Sequence, residues 1–564
     1  MLTFLVGGSR CASTKMERNP SALASTTFDL AVIGGGINGA AVAREAALRR
    51  LKVALIEADD FASGTSSRSS KLIHGGLRYL EQFDFRLVHE ARTERRRLRE
   101  LAPHLSQPLP FVLPIYHGDP YFPLKIRAGL TLYDLLGNLG RADRHRMLSR
   151  REALELLPAL RAEGLRAAAI YHDSETDDAR LTLEFILDAA ERGAVVSNHT
   201  EIRALASESP AGGHEAKVVT AEACDRLTGR RYEIAARWWV NATGPWVDHL
   251  RALVAGFDGS RTIRLTQGTH LILPQRVAGH ALFAATPSDQ RIFLMMPWNG
   301  FSLLGTTDTD FNGDPAGVRP DRADTEYLLN AANRVLDRPF TPDQVLGSFA
   351  GLRALVIEPG LRPSANTREH RFHRDPWAGN FTSICGGKLT TARALGEKLV
   401  DEIVDRLGPR PTAAARRHPS RQAPLPGGHT GPFDLFVKSS TERAAAEFGV
   451  PRTVAERIVR TYGSRWPQVL GPIREQAQLA EPLQGTPTLL AAEVEFAIRH
   501  EMAVTLEDFL LRRSGLNWAA CTPAGREAAP AVARIFAGRF GWDADQRKAA
   551  VENFAKLAAT AVRD

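Results

Sequence analysis

Three glycines and one carboxylate near the start of the chain have the types and spacing needed to hold a dinucleotide. Gly34, Gly36 and Gly39 form a G-x-G-x-x-G pattern. The first glycine permits a tight turn, the second lets the backbone approach a pyrophosphate, and the third lets helix and strand pack closely. Glu57 follows about 20 residues later, the spacing of an acid that binds a ribose hydroxyl. The pattern predicts a nucleotide site and leaves NAD and FAD both open.

A predicted βαβ unit holds these glycines at the start of its helix. Residues 30–33 indicate a buried parallel strand, residues 40–50 an Ala-rich helix, and residues 53–56 a second buried strand that ends at Glu57. The free amides and the dipole at the start of such a helix attract a pyrophosphate. The unit as a whole is much stronger evidence than the glycines alone.

A second stretch that could do chemistry directly follows this unit. It is rich in small hydroxyl residues between Thr65 and Ser70, and contains the pair Gly75 and Gly76. Such residues let the backbone pack closely on a flat or charged ligand. Three side chains suited to catalysis or anion binding accompany the glycine pair, namely His74, Arg78 and Tyr79. On composition alone, a polar loop leading into a surface helix explains this stretch equally well.

Length and composition bound the remaining possibilities. A chain of 564 residues is too long for one compact core, so two or three domains are expected. The net charge of +8 is compatible with anionic membrane surfaces, nucleic acid or phosphorylated substrates, and does not choose among them. No apolar run approaches the ~18 residues of a membrane-spanning helix. The four scattered cysteines have no metal or redox spacing, so we expect a reducing compartment and no metal site.

The rest of the chain divides into segments that differ in composition and in hydrophobic pattern. Residues 1–26 are expected to be a disordered extension, or in part coding sequence upstream of a start at Met16. Residues 262–310 alternate between apolar and polar positions, which predicts antiparallel sheet. Residues 408–433 are rich in Pro, Gly and Arg and indicate a linker. Residues 434–564 are predicted to form a C-terminal helical domain.

Residues 85–146 are basic and contain two amphipathic segments with open interpretations. The first, residues 85–102, places apolar side chains on one side of a helix with arginines opposite. The second, residues 121–139, is strongly apolar and has basic flanks. Both could face the protein core, or the second could bury its leucines among lipid headgroups as a monotopic membrane surface. The apolar side of the first segment consists of Leu87, Val88, Ala91, Leu98, Leu101 and Ala102.

Eight motifs between about residues 28 and 400 carry a family resemblance. In order they are GGGINGA, SSRSSKLIHGGLRYLEQFDFRLV, YHDSETDDARL, VNATGPWVD, TQGTHLILP, PWNGFSLLGTTDTDFNGDP, FAGLRALV and GGKLTTAR. Together they resemble the FAD-dependent glycerol-3-phosphate dehydrogenase family, the respiratory quinone-linked enzymes.

The resemblance implies FAD as cofactor and an α/β fold with an added helical part. The implied architecture is a discontinuous Rossmann-like FAD-binding domain (about 27–100, 170–250 and 350–407), an antiparallel-sheet substrate domain (about 101–169 and 251–349) and a C-terminal helical cap. The sequence agrees, because NATGPW and GGKLTT supply two further small-residue turns that could approach one dinucleotide. The expected cofactor contacts are Gly34, Gly35, Gly36, Asn38, Gly39, Ala40, Glu57, Ser66, Ser67, Ser70, Lys71, Gly75, Gly76, Thr243, Gly244, Gly387, Lys388, Leu389 and Thr390.

The implied reaction is oxidation of sn-glycerol 3-phosphate to dihydroxyacetone phosphate by hydride transfer to the flavin. It requires cations for the phosphate, a base for the hydroxyl, and donors for the developing carbonyl oxygen.

Arg78 and Arg353 are the phosphate-binding candidates. Where the family usually has G-V-R-P, this chain reads Gly351–Ala354 as GLRA, which makes the local turn less certain.

The remaining roles fall to four other side chains. His74 is the preferred base and His270 the second candidate, because imidazole titrates near working pH. Lys388 would stabilise negative charge on the reduced flavin or on the substrate oxygen. Tyr79 would donate a hydrogen bond to the substrate.

The resemblance further implies a quinone acceptor, an anionic membrane surface on the cytoplasmic side of the cell membrane, and a homodimer. An oxidase that passes electrons to oxygen is an alternative, as is another FAD hydroxy-acid or amine oxidoreductase of the same fold. A flavoprotein that modifies tRNA ranks last, because the sequence contains no recognisable RNA-binding pattern.

Overall fold

The computed structural model describes residues 16–80, 84–119, 122–137, 144–208, 216–286, 289, 291–357, 369–408 and 417–560. The side chains of Arg78 and Tyr79 are outside this description, although their backbone lies in a short 3-10 helix, Leu77–Leu80.

The described chain contains two large sheets and a mainly helical C-terminal part. The strands are β1 (Thr27–Ile33), β2 (Val53–Ile56), β3 (Leu72–Ile73), β4 (Gln107–Tyr116), β5 (Arg146–Ser149), β6 (Leu165–Glu175), β7 (Val195–Ser197), β8 (Thr200–Glu208), β9 (Lys217–Asp225), β10 (Arg231–Asn241), β11 (Ile263–Pro274), β12 (Ala281–Ala285), β13 (Ile292–Trp298), β14 (Phe301–Gly305), β15 (Thr309–Phe311), β16 (Gly347–Val356), β17 (Arg371–Arg374), β18 (Phe381–Cys385), β19 (Pro482–Leu483) and β20 (Thr486–Leu490). The helices are α1 (Ile37–Leu48), α2 (Phe85–Leu101), α3 (Pro123–Gly137), α4 (Arg150–Leu156), α5 (Asp178–Glu191), α6 (Val247–Arg251), α7 (Arg322–Asn333), α8 (Ala392–Arg406), α9 (Phe433–Phe448), α10 (Arg452–Tyr462), α11 (Trp466–Leu470), α12 (Ala491–His500), α13 (Leu506–Arg512), α14 (Pro523–Arg526), α15 (Ala529–Phe540) and α16 (Ala544–Thr560).

The first sheet has a parallel centre with the strand order β18-β10-β1-β2-β7. Strands β1 and β2 are almost wholly buried because α1, α5 and α8 cover the sheet. Parallel strands end at the same edge, so the turns after β1, β2, β10 and β18 converge there. Ligands of such sheets bind outside this carboxyl edge. The three sequence-distant turns predicted to approach one cofactor therefore do meet.

The second sheet is mainly antiparallel, as its alternating sequence predicts. Strand β11 pairs with β14 on one side and with β16 over ten residue pairs on the other. The domain boundaries expected near residues 170 and 350 fall inside β6 and β16, and both strands belong wholly to this sheet. We therefore propose that the boundaries lie at the ends of these strands, after Glu175 and after Val356.

The C-terminal part is a helical cap, α9 to α16, with one short hairpin, as predicted. Part of its core is shared with the second sheet, because Trp518 and Val532 pack in the same apolar cluster as Phe349 and Ile272. The predicted fold class, an α/β FAD-binding domain with a sheet domain and a helical cap, is confirmed.

The expected disordered extension is wrong for residues 16–26, and residues 1–15 lie outside the described residues. Met16 and Leu23 are buried, and a 3-10 helix spans Pro20–Ala24. Arg18 forms an ion pair with Asp225 at 2.8 Å. Asp225 is 207 residues away in the sequence, so the local composition around Arg18 gives no indication of this ion pair.

The second half of the predicted linker is also packed. Residues 409–416 lie outside the described residues, but Leu425 is fully buried and Arg421 pairs with Glu397 of α8. The backbone N–H of Leu425 donates to the carbonyl of Leu101 at 2.9 Å. The segment is therefore part of the folded body, attached to α2 and α8.

The two amphipathic segments differ in their surroundings. All six predicted core positions of the first segment are buried, five of them in α2 and the sixth, Ala102, directly after it, which confirms the core-facing interpretation for that helix. In α3, Leu130 and Tyr133 are buried, whereas Leu124 and Leu135 are 68% and 74% exposed. Among the helices of the described chain, none combines the length and the apolar character required to cross a bilayer.

Candidate active site

A cavity of about 890 Å³ runs along the carboxyl edge of the first sheet and reaches the second sheet. The predicted site residues that line it are Gly34, Gly36, Asn38, Glu57, Ser66, Ser70, His74, Gly76, Thr243, Gly244, His270, Arg353, Gly387, Lys388, Leu389 and Thr390. The cavity thus brings together the cofactor loops, both candidate histidines and one candidate arginine.

The glycine loop is shaped to admit a pyrophosphate. A Cβ on Gly34, which has φ +111°, would lie 2.5 Å from the carbonyl oxygen of Ala242, and one on Gly39 would lie 1.9 Å from that of Gly34. Among described atoms, a Cβ on Gly36 would meet only the Ser66 hydroxyl, at 3.2 Å. Gly36 therefore faces the cavity at the start of α1, where amide groups attract an anion. This cradle fits the pyrophosphate of a dinucleotide.

Glu57 is placed where the ribose-binding acid is expected. Its carboxylate accepts hydrogen bonds from the backbone N–H groups of Gly35 at 2.6 Å and Asp59 at 2.9 Å. Burial raises the pKa of Glu57 to about 7. Hydroxyl donors from a ribose would stabilise the ionised form of this carboxylate.

Six predicted cofactor residues support the cavity from outside its lining. Gly39 packs α1 against Gly34 and Ala242, Ala40 is fully buried, and the N–H of Gly35 donates to Glu57. Gly75 packs against Tyr133, because a Cβ on Gly75 would lie 2.2 Å from the hydroxyl oxygen of Tyr133. In the described part of the chain, the residues that line the cavity do not include Gly35, Gly39, Ala40, Ser67, Lys71 or Gly75.

The side chain of Lys71 corrects the sequence prediction most clearly. Its ammonium group is fully buried, donating to Asp178 Oδ1 at 2.5 Å and to the carbonyl of Ser67 at 2.7 Å. A buried ammonium requires such an ionic partner, and Asp178 supplies it at the start of α5. Lys71 therefore anchors the loop, and its ammonium group lies outside the lining of the cavity.

His270 lies at the junction of the two sheets. Its Nε2 is 2.8 Å from the hydroxyl of Ser70, and its ring stacks on Phe349 with 4.9 Å between centroids. Burial, and then the positive charges of Arg353 and Lys71, lower the pKa of His270 to about 3. The imidazole is therefore neutral at working pH. The cross-strand neighbour Gly305 leaves room for it, because a Cβ there would lie 2.2 Å from His270 Cδ2.

Arg353 extends from β16 across β11 into the cavity. It donates to the carbonyl of Thr307 at 3.2 Å, to Asp308 Oδ1 at 3.1 Å and to the hydroxyl of Thr306 at 3.2 Å. Its guanidinium group packs closely against Gly268, where a Cβ would be 2.5 Å from Nη2. Ala354, where the family resemblance predicts Pro, thus leaves the arginine positioned by a regular strand pairing.

A second arginine, Arg291, was missed by the sequence analysis. It lines the same cavity and pairs with Asp308 at 3.2 Å, so that one carboxylate holds both Arg291 and Arg353. Asp308 belongs to the quoted motif GTTDTDF, which was the available signal for it. Arg291 lies outside every quoted motif, and only its three-dimensional position next to Asp308 reveals it.

The loops after β3 and β18 join beside the cavity. The backbone N–H of His74 donates to the hydroxyl of Thr390 at 3.2 Å. Asn38 donates to the carbonyl of Gly386 at 3.1 Å, which ties the second loop to α1. These contacts hold His74 and Lys388 at the cavity wall. Three aromatic side chains that the sequence analysis missed also line the cavity and contact one another: Phe111, Tyr171 and Phe283.

Comparison with known proteins identifies the family. The sequence profile described as FAD dependent oxidoreductase matches residues 29–402, and that of the C-terminal domain of alpha-glycerophosphate oxidase matches residues 419–547. The aerobic glycerol-3-phosphate dehydrogenase of Bacillus subtilis is 34% identical over 564 residues and covers 98% of each chain. The glycerol-3-phosphate dehydrogenase of Synechocystis sp. is 35% identical and covers 94% of this chain and 96% of its own.

A solved structure shows the same similarity in three dimensions. The crystal structure of the glycerol-3-phosphate dehydrogenase from Bacillus halodurans, complexed with FAD, is 31% identical and has a TM-score of 0.75. The match covers 96% of this chain and 97% of that one. The glycine cradle described above fits the same cofactor. The chain belongs to the FAD-dependent glycerol-3-phosphate dehydrogenase family, and its cofactor is FAD.

Proposed function

We propose that the protein oxidises sn-glycerol 3-phosphate to dihydroxyacetone phosphate. The observation that most supports this is the pair Arg291 and Arg353, which share the cavity with the glycine cradle and with His270. A phosphate dianion is best bound by more than one cation, and guanidinium groups bind its oxygens through paired hydrogen bonds. Asp308 orients both guanidinium groups before the substrate arrives. We propose Arg78 as a further phosphate contact and Tyr79 as a donor to the substrate.

The reaction separates a hydride and a proton. Bound FAD supplies the hydride acceptor, and a protein side chain takes the hydroxyl proton as the C2 carbon becomes a carbonyl. We propose His74 as this base. A base whose pKa lies near 3, as that of His270 does, is a weak proton acceptor at neutral pH. His270 then donates or accepts a hydrogen bond at the substrate oxygen, and Lys388 stabilises developing negative charge.

His270 stays the second candidate for the base. A phosphate dianion bound at Arg353 would offset the positive charge that lowers the pKa of His270. The two histidines are separated by comparing H74N and H270N. In the variant that lacks the base, the rate of flavin reduction should fall and should no longer depend on pH. In the other variant the rate should also fall, but its dependence on pH should remain.

Bleaching of the bound flavin tests the proposed substrate. Under anaerobic conditions, glycerol 3-phosphate should bleach the yellow absorbance of the protein, while glycerol, lactate and glycine should not. Glycerol lacks the phosphate and is the matched control for the arginine pair. Bleaching by a hydroxy acid or an amine instead would contradict the proposal and favour another oxidoreductase of this fold, since a carboxylate could also occupy the arginine pair.

We propose a quinone as the electron acceptor and keep oxygen as the second candidate. The C-terminal match to the domain of alpha-glycerophosphate oxidase supports the oxidase alternative. The test measures the rate at which a water-soluble quinone is reduced and the yield of hydrogen peroxide in air. Stoichiometric peroxide with slow quinone reduction would contradict the quinone proposal.

We also propose that α3 contacts an anionic membrane surface on the cytoplasmic side, and that the protein is a homodimer. Leu124 and Leu135 expose apolar area at the two ends of this helix, and Lys125 and Arg127 lie close to Leu124 in its first two turns. Exposed leucines next to cations are typical of helices that lie in the membrane interface. Equilibrium sedimentation tests the dimer, and a monomer mass would exclude it.

A further inference from the structure

Three aromatic rings form a continuous stack from the active site into the C-terminal domain. The ring of His270 stacks on Phe349 with 11° between planes, and Phe349 stacks on Trp518 with centroids 5.5 Å apart and 18° between planes. The three side chains are 2%, 1% and 6% exposed. His270 and Phe349 are direct cross-strand neighbours on β11 and β16, whereas Trp518 comes from a 3-10 helix, Asn517–Cys521, of the helical cap.

Trp518 also contacts the loop that carries Ser70, the hydrogen-bond partner of His270. Its indole N–H donates to the carbonyl of Ser67 at 3.1 Å. The neighbouring Asn517 accepts a hydrogen bond from the buried ammonium of Lys71 at 3.3 Å. Trp518 and Asn517 therefore contact both supports of the imidazole, the ring beneath it and the loop beside it.

Buried ion pairs fix the cap in this position. Asp60, which follows the βαβ unit, pairs with Arg512 at 2.5 Å and with Arg513 at 2.5 Å. All three side chains are at least nine-tenths buried. Removing one partner of such a pair leaves a buried charge uncompensated, so separation of the two domains is strongly opposed. The segment that carries Trp518 starts only a few residues after these arginines and is held with them.

We propose that Trp518 is a positioning residue for the reaction, and that through the Phe349 ring the helical cap holds His270 in its reactive orientation. This inference rests on the proposed function, in which His270 contacts the substrate oxygen. Because His270 acts on the bound substrate, misplacing it should lower the rate of the chemical step more than the affinity for the substrate. A displacement of about 1 Å at a reacting group costs about 10²-fold in rate.

The experiment compares W518F and W518L in the holoenzyme. W518F keeps a ring face against Phe349 and loses the N–H donor, whereas W518L loses both. Single-turnover flavin reduction by glycerol 3-phosphate gives the rate constant and the apparent substrate affinity separately. We expect W518L to reduce its flavin about 10- to 100-fold more slowly with affinity within about threefold of wild type, and W518F to recover most of the rate. W542L, a cap tryptophan packed on Phe536 and Phe540, is the matched control and should keep the wild-type rate.

The outcomes are separable. A wild-type rate in W518L overturns the proposal, and so does an equal loss in W518F and W518L, because the stack would then be irrelevant. Where W518L does not retain FAD, W518M, which is closer in volume and also lacks a ring face, carries the same prediction. Loss of FAD by both variants would show that Trp518 serves cofactor retention, which also overturns it. If wild-type protein is not bleached by glycerol 3-phosphate at all, the proposed function fails instead.

Discussion

The hydroxyl of Ser70 and the Nε2 atom of His270 lie 2.8 Å apart, although the two residues are 200 positions apart in the sequence. Ser70 belongs to the loop after the βαβ unit, and His270 belongs to strand β11 of the second sheet. The bond therefore joins the cofactor loop to the substrate sheet at the point where the cavity passes between them. It fixes the imidazole in the plane set by the Phe349 stack, with Nε2 directed at the loop.

Removal of the Ser70 hydroxyl should slow flavin reduction. In S70A the imidazole loses its partner, and a hydrogen bond of this kind contributes about 1 kcal/mol, so we expect a loss of roughly fivefold to tenfold. Anaerobic stopped-flow absorbance measures the rate, and the flavin content of the variant is measured in parallel. S439A removes an exposed hydroxyl from α9 and should be unchanged. An unaltered rate in S70A would mean that this bond does not orient the imidazole for reaction.

The two arginines should act on substrate affinity. In R353K the forked contact is lost while the charge remains, and in R291Q one of two cations is lost. We expect KM for glycerol 3-phosphate to rise about tenfold or more in each, since hydrogen bonds to charged groups contribute about 1.5–3 kcal/mol. Steady-state kinetics checks this, with R322Q, a change at an exposed ion pair on α7, as control. A normal KM in R291Q would remove Arg291 from the phosphate site.

Gly305 should tolerate no side chain. The Cβ of G305A would lie 2.2 Å from His270 Cδ2, so either the imidazole or β14 has to shift. We expect a loss of flavin reduction on the order of 10²-fold and a destabilisation of about 1–3 kcal/mol. G317A is the matched control, because among described atoms its Cβ would meet nothing within 4 Å. Full activity in G305A would show that His270 can move without consequence.

Glu57 should make stability depend on pH. Its pKa is raised from 4.5 to about 7 by burial, so the folded protein binds this proton more tightly than the unfolded chain does. The resulting stabilisation is complete below about pH 4.5 and is lost as the pH rises through 7, a change of at most about 3.5 kcal/mol. Urea unfolding of the flavin-free protein at pH 5 and pH 8 measures it against E57Q, which lacks the titration. Equal pH dependence in both proteins would contradict the assignment.

The exposed leucines of α3 should determine how strongly the protein binds to anionic vesicles. Transfer of a leucine side chain out of water contributes about 1.5–3 kcal/mol, so the double variant L124S/L135S should lower partitioning onto phosphatidylglycerol vesicles at least about tenfold. Co-sedimentation at low salt measures the bound fraction. L435S alters a leucine on α9 that is 69% exposed and serves as control. Equal binding by wild type and the double variant would exclude α3 as the contact.

The sequence alone determined the features that depend on neighbouring residues. The glycine pattern specified the turn after β1, the presence of a helix after that turn and the position of Glu57 at the end of β2, because tight backbone approach is encoded within a few positions. The helix itself begins earlier than predicted, at Ile37 and not at Ala40. The core face of α2 was equally predictable, since six apolar residues recur at the helical period. The ordered motifs then indicated the cofactor and the family. These features needed no knowledge of which strands lie side by side.

Only the tertiary structure decided which distant side chains meet. Arg291 joins Arg353 because both reach Asp308, and Lys71 turns away from the cavity because Asp178 supplies the counter-charge that its burial demands. Trp518 reaches the Phe349 ring only because the cap docks on β16. Such contacts depend on strand register and on how whole domains pack, and a single sequence carries no local signal for either.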